Sequence, residues 1–180
     1  MKSLTVGLIF AAALGTAQPA SAEVVWWDEP PLPYGSPVTF VDTVIETVRP
    51  ERVAAWKAIR TEALEGWGVP YTVDIAGGAA PFDANVSEER NGIPGVIRLG
   101  RDVSGFCQSY GGWYGTVSGG IAVMCLEPLW WKSHRLAENR TELAHEVGHA
   151  FGLGHSSSGV MGGGFHVSEE ERLAVAGWYA

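Results

Sequence analysis

The stretch HEVGHAFGLGHSSSGVM, residues 145–161, carries the most specific pattern in this chain. It follows Asn139, which with Glu142 three residues later predicts the start of a helix. His145 and His149 are four residues apart. On a helix they therefore project from one face, at the spacing that two imidazoles need to share one metal ion. The stretch predicts a metal site on a helix.

The residues around these two histidines predict how the site is completed. Glu146 follows the first histidine, so its carboxylate is expected beside the ion, where it can hold and deprotonate a water molecule. Gly152 and Gly154 come next, and a glycine accepts the left-handed conformation that ends a helix and lets His155 return to the same ion. Three imidazoles with one water molecule make a catalytic zinc arrangement, whereas structural zinc is closed by four protein ligands.

HEVGHAFGLGH followed by Met161 resembles the zinc signature and Met-turn of the metzincin metalloendopeptidases, most closely their matrixin-like branch. The resemblance is close over residues 142–161 and concerns only the order of elements elsewhere. It implies an α+β, zincin/metzincin-like single domain with a mixed twisted sheet, an antiparallel edge strand, two main helices and a short C-terminal helix. It also implies one catalytic Zn²⁺ and a peptide or protein substrate, whereas the sequence alone does not show whether the chain has calcium sites. The implied site consists of the zinc ligands His145, His149 and His155, the general base Glu146, and Met161 beneath the metal.

Other interpretations of the same residues stay open. A zinc hydrolase acting on a non-peptide amide or on cell-wall material would use the same histidines and differ only in its substrate groove. A secreted binding or adhesion module could hold zinc without catalysis, although it has little reason to keep Glu146. Met161 could also be an ordinary core residue, since methionine fills irregular gaps in apolar cores.

Residues 1–22 have the pattern of a signal peptide. Lys2 precedes an apolar run at 6–14 that is too short to span a bilayer, and Ala20, Ser21 and Ala22 form a small-residue cleavage pattern. We therefore expect a secreted protein, extracellular or periplasmic, without stable membrane association after cleavage. A short membrane anchor is the alternative.

Cleavage would leave 158 of the 180 residues, a length that suits one domain. Residues 23–37 contain four of the ten prolines and predict an extended arm, and residues 38–180 would form the metallopeptidase domain. Removing Lys2 changes the formal net charge from −8 to −9, spread over scattered carboxylates. Nucleic acid and anionic membranes are therefore poor candidate partners. Separately, we expect the protein to be a monomer.

Two features concern covalent modification. Cys107 and Cys125 are an even pair in a chain with an export signal, which predicts a disulfide, with two buried thiols as the alternative. Asn85 and Asn139 lie in glycosylation triplets, which matter only if the source glycosylates exported proteins.

Periodicity predicts the remaining elements. Strands are expected at 38–43, 71–76, 95–100 and 119–127. The last of them is our candidate for the antiparallel edge strand that holds substrate in the family, with an interior strand as the alternative. A helix beginning near Pro50 and a closing helix whose start carries a Ser168–Glu171 capping box complete the domain. Residues that recur at helical spacing on the first helix predict core packing; they are Val53, Trp56, Ile59, Ala63 and Trp67.

Overall fold

A computed structural model describes part of the chain. The described residues are 24–25, 34–46, 48–75, 95–101, 114–116, 121–124 and 136–179. The predicted signal peptide at 1–22 and the predicted Cys107–Cys125 disulfide lie outside them. Within the described ranges, no helix has the length and apolar character needed to cross a membrane.

The described residues form a mixed α and β structure. The strands are β1 (Val38–Asp42), β2 (Tyr71–Ile75), β3 (Ile97–Arg101), β4 (Tyr114–Thr116) and β5 (Ile121–Met124). The helices are α1 (Val53–Glu65), α2 (Leu136–Ala150) and α3 (Glu169–Tyr179). A short 3-10 turn at Pro50–Arg52 leads into α1, and another at Val160–Gly162 lies between α2 and α3.

The sheet is mainly parallel. Its strand order is β2-β1-β3-β5-β4, in which the first four strands are parallel neighbours and β4 runs antiparallel to β5. The prediction that residues 119–127 form the antiparallel edge strand is wrong, because Ala122 of β5 pairs with Leu99 on one side and with Gly115 on the other. The antiparallel strand at this edge is β4.

The apolar face of α1 packs into the core as its spacing predicted. Trp56, Ile59, Ala63 and Trp67 are all buried, whereas the predicted core residue Val53, at the start of the helix, is only partly buried. The indole N–H of Trp56 donates to the Asp42 carboxylate of β1 at 2.9 Å, and that of Trp67 donates to the Ala144 carbonyl of α2 at 3.2 Å. Since a buried indole needs an acceptor for its N–H, these two bonds allow both rings to lie in the core.

Helix α2 begins earlier than the sequence pattern predicted. It starts at Leu136, so Asn139 lies inside the helix and is 3% exposed instead of capping its start. Leucine, alanine and glutamate at 136–138 are better helix formers than asparagine, which explains the extension toward the N-terminus. A buried asparagine within a helix does not present its side chain for glycosylation.

The start of α3 has the predicted capping box. The N–H of Glu171 donates to the Ser168 hydroxyl at 3.2 Å, and the N–H of Ser168 donates to the Glu171 carboxylate at 2.7 Å. Each residue therefore satisfies a backbone N–H that the first turn of a helix leaves unpaired.

Candidate metal centre

The structure brings the three predicted histidine ligands together. His145 and His149 lie on α2, and His155 follows the helix on a loop. One nitrogen of each ring lies within 4.8 Å of the corresponding nitrogens of the other two rings. Their ring centroids are 4.6, 5.2 and 4.9 Å apart for the pairs 145–149, 145–155 and 149–155. Three imidazoles thus converge on a volume that one metal ion can occupy.

A glycine turn at the end of α2 redirects the chain toward His155. Gly152 has a φ of +97°, which is the conformation predicted for it, whereas Gly154 does not have a positive φ. The N–H of Gly152 donates to the His149 carbonyl at 2.9 Å, and that of Leu153 donates to the Gly148 carbonyl at 3.0 Å. These two bonds form a Schellman motif, which pairs the last helical carbonyls and turns the chain back.

Backbone carbonyls orient two of the rings. The Nδ1–H of His145 donates to the Val160 carbonyl at 2.9 Å, and that of His149 donates to the Leu153 carbonyl at 2.7 Å. A carbonyl oxygen only accepts, so Nδ1 carries the proton in both rings and Nε2 presents its lone pair. Burial lowers the pKa of His149 to about 4 and also lowers that of His145, which favours the neutral rings that bind metals.

Glu146 lies next to this cluster without belonging to it. Among the described residues, the converging group contains the three histidines and not the Glu146 carboxylate. This residue is only 8% exposed, and burial raises its pKa to about 8, with a further contribution from the negative charge of Glu142. A cation held by the histidines would favour the ionised carboxylate instead. Glu146 therefore lies outside the converging ligand set, and its role as a base stays a prediction.

Met161 packs against the helix that carries two of the histidines. It is 2% exposed and belongs to the main apolar core. A Cβ at Gly148, the residue before His149, would overlap the Met161 sulfur and lie 2.8 Å from a ring carbon of Trp67. Because Gly148 has no side chain, the 3-10 turn that contains Met161, Val160–Gly162, can approach α2. Met161 is thus a core residue beside α2, and its predicted place beneath the metal stays a prediction.

Glu171 is a site residue whose full role the sequence did not show. Besides its place in the capping box, its carboxylate accepts the backbone N–H of Val160 at 3.1 Å and that of Met161 at 2.9 Å. It is 2% exposed. These contacts join α3 to the turn that contains Val160 and Met161. No spacing rule in the sequence predicts a contact between these two elements.

The predicted N-terminal arm contacts the end of α2. The N–H of Gly154 donates to the Val25 carbonyl at 2.8 Å, and the Tyr34 hydroxyl donates to the Ala150 carbonyl at 3.0 Å. Val24 and Tyr34 also pack against the apolar core. The described parts of the arm therefore support the segment that leads to His155.

Comparison with protein-family profiles and with curated protein sequences finds no match to this chain. The functional interpretation consequently rests on the residues and their geometry.

Proposed function

We propose that this chain is a secreted zinc-dependent endopeptidase of the metzincin type. The observation that carries the proposal is the convergence of His145, His149 and His155, whose ligand nitrogens lie within 4.8 Å of one another beside the buried Glu146. The sequence signature supports the metzincin assignment, and the signal-peptide pattern of residues 1–22 supports secretion.

The donor set fits a catalytic zinc ion. Catalytic zinc uses three protein ligands and keeps one position open, and three histidines are a common set for it. Hydrogen bonds to carbonyls fix the rings of His145 and His149 with Nε2 toward the cluster. Such outer contacts accompany most metal-binding histidines. Imidazole also binds copper, iron and nickel, so the choice of zinc rests on the sequence signature.

Glu146 would carry the proton chemistry. A zinc ion held by the histidines would polarise a substrate carbonyl and acidify a water molecule. Glu146 would orient that water and accept its proton at a carboxylate oxygen as the water oxygen adds to the peptide carbonyl carbon. It would return the proton to the amide nitrogen as the C–N bond breaks. Glu146 is buried, so its carboxylate is largely shielded from bulk water.

The edge strand β4 is our candidate for the substrate-binding strand, in place of residues 119–127. Among the described strands β4 ends the sheet, and it packs against α2, the helix that carries His145 and His149. An extended peptide can add to such an edge through backbone hydrogen bonds. This placement would bring a peptide chain alongside the metal centre.

The proposal is tested by comparing the wild type with Glu146→Gln. We expect casein cleavage by the zinc-loaded wild type and a loss of at least about 100-fold in the variant, because removing a general base costs about 10²–10⁴-fold. Zinc content, measured by atomic emission, should stay at one ion per chain in both proteins. Glu170→Gln serves as the matched control because Glu170 is exposed in the first turn of α3.

Several outcomes would contradict the proposal. Undiminished turnover in Glu146→Gln would exclude the proposed base. Zinc binding by the wild type without cleavage of casein or of a broad peptide library would favour a non-catalytic module. Cleavage of cell-wall amides alone would reassign the substrate while leaving the zinc and base roles in place.

A further inference from the structure

We infer that Glu171 is a positioning residue for the metal ligand His145, acting through the Gly159–Met161 turn. The inference rests on the metal site of the proposed function and is independent of whether that site cleaves peptides. Glu171 lies on α3, 26 positions after His145 in the chain. The two side chains are connected by one peptide unit of the turn.

That unit is the peptide between Val160 and Met161. Its carbonyl, on Val160, accepts from Nδ1–H of His145 at 2.9 Å, and its N–H, on Met161, donates to one oxygen of the Glu171 carboxylate at 2.9 Å. The N–H of Val160, in the preceding peptide unit, donates to the other carboxylate oxygen at 3.1 Å. One carboxylate therefore holds two successive N–H groups of the turn. These two hydrogen bonds set the orientation of the Val160 carbonyl. The carbonyl in turn sets the direction of Nε2 of His145.

The groups around the Glu171 carboxylate are hydrogen-bond donors. The residue is 2% exposed, and its carboxylate oxygens accept from Val160, Met161 and Ser168. A carboxylate is an acceptor only, so both of its oxygens match these donors. A glutamine would place an NH₂ group against backbone N–H groups and lose at least one of the bonds. The turn would then be free to rotate the Val160 carbonyl away from His145.

Gly159 shows how closely the carboxylate fits the turn. Its φ is +66°, in the region that favours glycine, and a Cβ there would overlap both oxygens of Glu171. The turn thus brings its backbone directly against the carboxylate at a position where a larger residue would prevent the contact. Glu171 and Gly159 act together as the support of the Val160 carbonyl.

The test measures zinc affinity by competition with a chromophoric chelator, using the chain from residue 23 onward. We expect Glu171→Gln to bind Zn²⁺ about 10-fold more weakly than the wild type, at the lower end of the effect of losing an outer contact to a metal ligand. The visible spectrum of the Co²⁺-loaded variant should change as well, because the geometry of one ligand changes. All measurements are made below the unfolding temperature of each variant, verified by circular dichroism.

Two matched controls separate positioning from helix stability. Ser168→Ala removes the hydroxyl that accepts the Glu171 N–H and weakens the start of α3, yet it leaves the carboxylate on the turn. Glu170→Gln removes an exposed charge from the same helical turn. Both should bind zinc as the wild type does. In a His145→Ala background, Glu171→Gln should cause no further loss of affinity, because the ligand through which it acts is absent.

A folded Glu171→Gln variant that keeps wild-type zinc affinity would overturn the inference, as would an equal loss of affinity in the His145→Ala background. If Glu171→Gln does not fold, Glu171→Asp replaces it, since aspartate keeps the charge and shortens the reach. If Glu171→Asp then binds zinc more weakly than Ser168→Ala does, the inference is supported. If the two variants bind zinc equally well, the inference is overturned. Casein cleavage by the wild type separately decides the proposed function, and a wild type that binds no zinc contradicts both.

Discussion

Nδ1 of His149 lies 2.7 Å from the carbonyl oxygen of Leu153, the second residue of the turn that ends α2. The same turn pairs Leu153 N–H with the Gly148 carbonyl. One local motif therefore ends the helix, orients the ring of the proposed metal ligand His149, and leads the chain to His155. The order HxxGxxH in the sequence reflects this arrangement, because Gly152 must follow the second histidine at the position where the helix ends.

Replacing Gly152 by alanine should disturb both the fold and the metal site. The φ of +97° is unfavourable for any residue with a Cβ, so we expect a loss of about 1–2 kcal/mol in the free energy of unfolding of the metal-free protein. Zinc affinity should fall as well, because the Leu153 carbonyl shifts relative to His149. Urea denaturation and a zinc competition assay measure the two effects.

Gly177→Ala is the control for that variant. Gly177 lies in α3, is exposed and does not have a positive φ, and a Cβ at this position would meet no atom of another element within 4 Å. Alanine there should stabilise the helix by about 0.5–1 kcal/mol and leave zinc binding unchanged. Equal effects of the two substitutions would contradict a special role for the Gly152 turn.

The elements that the sequence predicted correctly depend on neighbours along the chain. The burial of Trp56, Ile59 and Ala63 follows from helical spacing, and the Ser168–Glu171 capping box follows from a three-residue offset. The conformation of Gly152 follows from its place after the last helical turn. The predicted start of α2 failed because Asn139 lies buried within the helix, so the residue that usually caps a helix start is here part of its interior.

The features that the sequence did not predict join distant parts of the chain. Among the described strands, β5 is interior and β4 lies at the edge, and that order depends on pairing with β3 rather than on the composition of either strand. The contact of Glu171 with Val160 and the close approach of Met161 to Gly148 also cross between elements. A single sequence contains no spacing that identifies such partners, because each one arises only when the elements pack.

Zinc should stabilise the protein through His155 in particular. Binding to the folded state alone adds about 4 kcal/mol at a free zinc concentration about 1,000 times the dissociation constant. For a chain of this size that corresponds to a rise of about 8–16 °C in Tm, seen by thermal unfolding with zinc and with EDTA. His155 is exposed, so His155→Ala should leave the Tm in EDTA nearly unchanged and remove most of the zinc-dependent rise. A full rise in that variant would show that zinc binds elsewhere.

Gly148→Ala should overpack the contact between α2 and the Met161 turn. A Cβ there would overlap the Met161 sulfur and press on the Trp67 ring, and we expect a loss of about 1–3 kcal/mol in the free energy of unfolding. Met161→Ala alone should cost about 2–5 kcal/mol by leaving a cavity. The double variant should lose less than the sum, because the new methyl group occupies part of that cavity. Strict additivity in urea denaturation would argue against the direct contact.

Asp42→Asn should lower stability strongly without affecting zinc. The Asp42 side chain is fully buried at the end of β1 and accepts four hydrogen bonds, from the N–H groups of Val44 and Ile45, the Trp56 indole and the Arg60 guanidinium. The Asn NH₂ group would face the last two donors, would leave the buried Trp56 N–H without its acceptor and would deprive the partly buried Arg60 of its anionic partner, at a cost of about 3–5 kcal/mol. Asp74→Asn, on the exposed side of β2, is the control and should have little effect. Urea denaturation measures the difference, and similar midpoints for the two variants would contradict the assigned role of Asp42.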